Sequence, residues 1–246
     1  MSRAAPDAPY HLDSAHVAAI HRLPSGSRVL EVGCGGGQCR RWFQSKSLEY
    51  VGTDICLTRV ATWLRVYGGP DLLCDCHFLP FADRGFDLVY SAAVFEHLAC
   101  PVAAAQEMFR VLKPGGYMMG NCAFLEPWHD GSFFHLSPMG AITMLTQAGF
   151  QIESIWPGRG WNAFVAIPAM AFRKPLRFLR HFGSLAHAVY QLQNAALGVA
   201  RRITGKPSRP DILDRAVIAG AMNWIARRPT TDANSCACGP EMAGTA

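Results

Sequence analysis

The residues best suited to chemistry cluster between Arg28 and Gly37, which read R-V-L-E-V-G-C-G-G-G. Val29, Leu30 and Val32 form a short apolar, β-branched run that suits a strand buried in a parallel sheet. Gly33, Gly35, Gly36 and Gly37 follow at once. Glycine takes positive φ freely and leaves no Cβ between the backbone and a ligand. Polar and basic residues then open a helix carrying Trp42 and Phe43. Where a strand, a glycine turn and a helix N-terminus meet, free amides and the helix dipole converge, which suits a nucleotide. Asp54 closes the next apolar run, Y-V-G-T-D, 17 residues after Gly37. A carboxylate there accepts hydrogen bonds from both ribose hydroxyls. The spacing of the glycines is G-x-G-x-G at Gly33, Gly35 and Gly37, and Gln38 stands where a dinucleotide fingerprint wants glycine. That disfavours a bound pyrophosphate.

These residues need a scaffold, and the rest of the chain supplies one. It has 246 residues, half of them apolar and 17% charged, which fits one α/β domain with additions and excludes a disordered chain. Helical spacing over His11–Arg22 precedes the first strand. Strands are expected at 50–54, 72–75, 86–90, 117–123 and 150–156, with a seventh at Asn162–Ile167. Helices are expected over Ile55–Tyr67, Val102–Leu112 and from Ser137-Pro138 to Gly149, and Lys113-Pro114-Gly115-Gly116 is expected to close the second of them. Strands alternating with helices give a doubly wound, mostly parallel α/β sheet of the Rossmann-like kind.

The blocks V-L-E-V-G-C-G-G-G (29–37), V-G-T-D (51–54), C-D-C-H-F-L-P-F-A-D-R-G-F-D-L-V (74–89), F-E-H-L (95–98) and L-K-P-G-G (112–116) come in a fixed order. In order and spacing the chain resembles the class I S-adenosylmethionine-dependent methyltransferases, in particular the small-molecule group similar to ubiquinone and menaquinone methyltransferases. The resemblance covers roughly residues 28–156. It implies a seven-stranded sheet ending in an antiparallel strand, with S-adenosyl-L-methionine as cofactor. It puts Gly33, Gly35 and Gly37 under the methionine and ribose, with Glu31 ordering that loop and the methionine ammonium. Asp54 would hold the ribose, with Ile55 next to it. Asp75 would accept from the adenine amino group, with the Cys76 amide and the Phe78 side chain beside the ring. Asp87 reads as a cap on local backbone.

Methyl transfer from a sulfonium is an in-line displacement, so an enzyme mostly positions the acceptor. A hydroxyl acceptor gains from a base titrating near neutrality. His97 and His129 are the candidates, with Glu126, Asp130 and His135 in the same loop, and Trp128 and Phe133 as lining. The expected reaction is O- or C-methylation of a small molecule. The rival readings are a non-catalytic binding or scaffold protein of the same fold and a methyltransferase acting on a lipid-linked or glycan acceptor at a membrane surface.

The domains expected are a leader and helix (1–27), the cofactor-binding domain (28–167), a basic helical extension (168–228) and a disordered tail (229–246). From 161 to 228, eleven Lys and Arg face only Asp211 and Asp214. Within it, Leu185, Val189, Leu192, Ala196, Val199 and Ile203 repeat at helical spacing, and a further helix is expected from Asp211 to Arg228. Residues 172–209 are thus read as a lid or dimer face, or as a contact for a membrane surface or anionic acceptor; a nucleic-acid partner is disfavoured. No apolar segment suits a secretory signal or a membrane span, so a cytoplasmic location is expected. The nine cysteines read as reduced thiols. The pairs Cys74/Cys76 and Cys236/Cys238 are spaced more closely than zinc pairs, so no metal is expected.

Overall fold

A computed structural model describes residues 9, 12–57, 66–158, 160–205 and 216–230. Its element order is α1 (Ser14–Ile20), β1 (Arg28–Val32), α2 (Arg40–Ser45), β2 (Glu49–Asp54), β3 (Leu72–Leu73), β4 (Phe86–Ala92), α3 (Pro101–Val111), β5 (Leu112–Ala123), α4 (Pro138–Gln147), β6 (Gln151–Pro157), α5 (Ala163–Met170), α6 (Arg180–Ile203) and β7 (Ala221–Arg227). Single 3-10 turns at Phe95–His97 and Leu176–Leu179 complete the set. Most of the helix expected over Ile55–Tyr67, the leader, the Asp211 cap and the tail from 231 lie outside the described residues.

One seven-stranded sheet runs β3-β2-β1-β4-β5-β7-β6, parallel except that β7 is antiparallel to both neighbours. Successive strand residues point to opposite faces. Leu30, Val89, Met118 and Trp224 pack with Met108, Val111 and Leu145 of α3 and α4 on one face. Their chain neighbours Val29, Leu88, Met119 and Ile225 pack with Ile20, Trp42 and Phe43 of α1 and α2 on the other. Both faces are covered, so the central strands read as unbroken apolar runs.

Three expectations give way to the structure. Asn162–Ile167 is not a strand: Asn162 accepts a hydrogen bond from the Phe164 amide at 3.0 Å and caps α5. The apolar run that follows has no polar alternation to tell strand from helix. Residues 221–227, expected within a helix, are the seventh strand; Met222, Trp224 and Ala226 alternate with Asn223 and Ile225, all buried. The fifth strand, expected from Tyr117, already begins at Leu112 and takes in Lys113-Pro114-Gly115-Gly116, the segment that closes α3 as expected. That segment forms a bulge in β5, where pairing jumps from Phe86–Leu112 to Leu88–Tyr117. Gly115 donates to Arg228 O at 2.8 Å and Arg228 donates back to Gly116 O at 2.9 Å. The buried Arg228 guanidinium also donates to the carbonyls of Phe109 and Leu112 at 2.9 Å, where its charge meets the negative end of α3.

Candidate functional site

β1 delivers the chain to Gly33 at φ +71° and Gly35 at φ +56°. A Cβ on Gly33 would lie 2.2 Å from Val94 Cγ2, so both conformation and space demand glycine there. Asp54 at the end of β2 ties this turn. Its Oδ2 accepts from the Gly35 amide at 2.8 Å, and its Oδ1 from the Ile55 amide at 2.8 Å. Gly36 and Gly37 look elsewhere. Gly36 O accepts from Gly69 N at 2.9 Å, and a Cβ on Gly37 would meet Gly69 O at 2.9 Å.

Beneath the turn, Glu31 is buried and accepts from the Tyr50 hydroxyl at 2.5 Å. Burial lifts its carboxyl to about 7, against the opposing pull of that hydrogen bond. Burial likewise pushes the Cys34 and Cys76 thiols up to about 12, so both are inert fillers rather than nucleophiles.

Gly33, Gly35, Asp54, Ile55, Asp75, Cys76 and His97 line a single cleft of about 710 Å³ at the carboxyl ends of β1, β2 and β4. Glu31, Gly37 and His129 are not part of its lining. Phe78, expected beside an adenine ring, is 79% exposed and does not line it either. Asp75 Oδ1 accepts from the His77 amide at 2.9 Å and pairs with its Nδ1 at 2.6 Å, and these two bonds hold its carboxyl below the usual range. Thr53, Val94, Leu98 and Ala99 also line the cleft. The one sequence signal for them is their position just at or after a strand's carboxyl end.

The far wall is the loop from Phe124 to Leu136. Phe133 and Phe134 donate to Glu96 O at 2.6 and 3.2 Å, which fastens the loop to the 3-10 turn. His97 and His129 meet edge to face with centroids 5.5 Å apart, and His135 lies 5.6 Å beyond His129. His129 Nδ1 donates to Pro127 O at 3.0 Å, which leaves Nε2 of the neutral ring with its lone pair. Glu96 is buried behind the pair, with its carboxyl raised mainly by that burial. Ligand atoms of Glu96, His97 and His129 lie within 4.8 Å of one another, near enough to share a cation. Glu126 accepts from Trp161 Nε1 at 2.6 Å, which joins the loop to the start of α5.

The profile of the family described as "Methyltransferase domain" matches residues 30–120. A methyltransferase-named protein of Encephalitozoon cuniculi is 35% identical over 155 residues, covering 51% of this chain and 71% of that one. The human protein named "Probable tRNA methyltransferase 9B" is 36% identical over 99 residues, covering 38% of this chain. The chain spans only 21% of that relative's length. The crystal structure of the cyclase SpnF matches with a TM-score of 0.57 at 22% identity, covering 88% of this chain and 80% of that one. S-adenosylmethionine is the methyl donor of the family that the profile and the Encephalitozoon relative point to. The glycine turn and the carboxylate at the end of β2 fit such a ligand: Gly33, Gly35 and Asp54 all line the cleft, and a carboxylate is an acceptor of the kind that vicinal hydroxyls need. The chain belongs to the class I S-adenosylmethionine-dependent methyltransferases.

Proposed function

We propose that this protein binds S-adenosylmethionine in the cleft lined by Gly33 and Gly35 and transfers its methyl group to a small molecule, at oxygen or carbon. The observation that carries the reading is the convergence of the positive-φ glycine turn with Asp54 at the edge of one cleft. The bound cofactor supplies an electrophilic methyl group on a sulfonium. In this reading Gly33 and Gly35 lie under the methionine and ribose, and Glu31 and Gly37 shape the turn from behind. Asp54, with Ile55 beside it, holds the ribose hydroxyls. Asp75 and the Cys76 amide face the adenine. The acceptor enters against Phe133 and the 124–136 loop. His129 takes the acceptor's proton through Nε2, and His97 orients it across their edge-to-face contact. A cytoplasmic location belongs to the same reading; among the described residues no helix is long and apolar enough to cross a membrane.

The SpnF match shows that the fold alone does not fix the reaction, so binding has to be tested directly. Titration calorimetry with S-adenosylhomocysteine and with NAD separates the readings. Binding of S-adenosylhomocysteine is expected, weakened at least tenfold by Asp54→Ala, on the order of 1.4 kcal/mol for a charge-assisted hydrogen bond. Binding of NAD alone, or of neither ligand, refutes the proposal. One finding favours a second acceptor class: relatives at 36% identity carry a tRNA methyltransferase name. Labelled methyl groups recovered in an RNA fraction rather than in extracted metabolites would select it.

A further inference from the structure

The 24-residue helix α6 is amphipathic, yet it sits the wrong way round for a globular protein. The side turned to the body carries Gly183, His187, Tyr190, Asn194 and Arg201, the first buried and the others half-buried. Their spacing of three, four and seven residues marks one helical face. Gly183 makes the closest approach, where a Cβ would lie 2.4 Å from Phe164 O. The opposite face carries Leu185, Val189, Leu192, Ala196, Val199 and Ile203, all exposed. Leu192 is 71% exposed and Ile203 80%. A surface helix normally buries its aliphatic stripe and wets its polar one; this helix does the reverse. Phe178 and Phe182 continue the exposed stripe at its start, with their rings 6.2 Å apart.

Charge decides among the surfaces that could receive such a stripe. No Asp or Glu occurs between Glu153 and Asp211. Arg173, Lys174, Arg177 and Arg180 flank the start of the helix, and Arg201 and Arg202 close it. A second copy laid along the stripe in either direction would bring like charges together with no acid to pair them. An RNA strand needs aromatic platforms along a basic groove, whereas this face is aliphatic for most of its length. An anionic bilayer surface offers both features at once: an acyl boundary for the stripe and phosphate headgroups for the two basic ends. With charge at each end, a helix about 36 Å long must lie flat, because end-on insertion would drag arginines into hydrocarbon.

We infer that α6, together with the 172–180 segment, is an in-plane docking element for an anionic membrane surface. The inference stands apart from the methyl-transfer reading, since none of these residues lines the cleft. Co-sedimentation of the full chain with vesicles tests it, using phosphatidylcholine alone and phosphatidylcholine with about a quarter phosphatidylglycerol. Binding to the anionic vesicles is expected, with loss at high salt. Leu185→Glu with Leu192→Glu should weaken it at least about tenfold. Both positions are exposed, so an unchanged melting curve will show that the double variant still folds. Arg173→Gln with Lys174→Gln provides an independent second variant, expected to weaken binding to anionic vesicles only. Equal partition to both vesicle types, or no binding to either, overturns the inference. So does binding that survives both double variants, a dimer that Leu185→Glu with Leu192→Glu dissolves, or a preference for RNA over anionic vesicles in competition.

Discussion

Glu31 combines full burial with a carboxyl raised to about 7, and the pH dependence of folding should report it. In the unfolded chain the group titrates near 4.5. The native state therefore holds its proton more tightly, and the stability this confers is complete below pH 4.5. It is lost as pH rises toward 7, by on the order of 3 kcal/mol. Glu31→Gln should flatten that part of the stability curve relative to the parent, as read by urea unfolding at pH 5 and pH 7.5. Curves that stay parallel would show that Glu31 is charged in the fold. The glycine requirement at Gly33 is legible in the sequence because a turn that excludes Cβ admits few residue types. The surroundings of Glu31 are not: its partner Tyr50 lies 19 positions away and joins it only once β1 and β2 pair.

Among the elements, α3 does more than cover the sheet. Arg110 near its end donates to Glu107, to Asp83 at 2.7 Å, and to the carbonyls of Leu79 and Phe81 at 2.8 Å. Glu107 in turn accepts from the Leu79 amide at 2.9 Å. This fork holds the segment that follows Asp75 and Cys76, so it fixes one rim of the cleft from behind. Arg110→Ala should lower stability by about 2 kcal/mol, the scale of hydrogen bonds to a charged group, and speed amide exchange at Leu79. Unaltered exchange there would show that the loop holds itself. α4 behind Ser137 can be read from the sequence because its capping signal is local, whereas α1, expected from His11, starts only at Ser14 behind the Asp13 cap. β7 cannot be read in this way. Its residues are buried on both faces, so the alternation that marks a strand is missing, and its pairing partners lie far away in the chain.

At the scale of the molecule, β7 holds the right-hand part of the sheet together. It pairs with β5 through seven positions and is the strand that joins β6 to the rest. It also brings in the fully buried Trp224 and the Arg228 cap on α3. A chain ending at Gly220 should show no cooperative melting by circular dichroism; a sharp transition would mean that β5 and β6 close on each other without it. The position of β7 also has a consequence for synthesis on the ribosome. β5 emerges early, but the strand that occupies its outer edge follows about a hundred residues later, after β6, α5 and α6 have all been made. Until then a long, apolar strand edge is open to any extended segment that reaches it. Slower synthesis or added chaperone across that interval is expected to raise the soluble, folded yield of this protein.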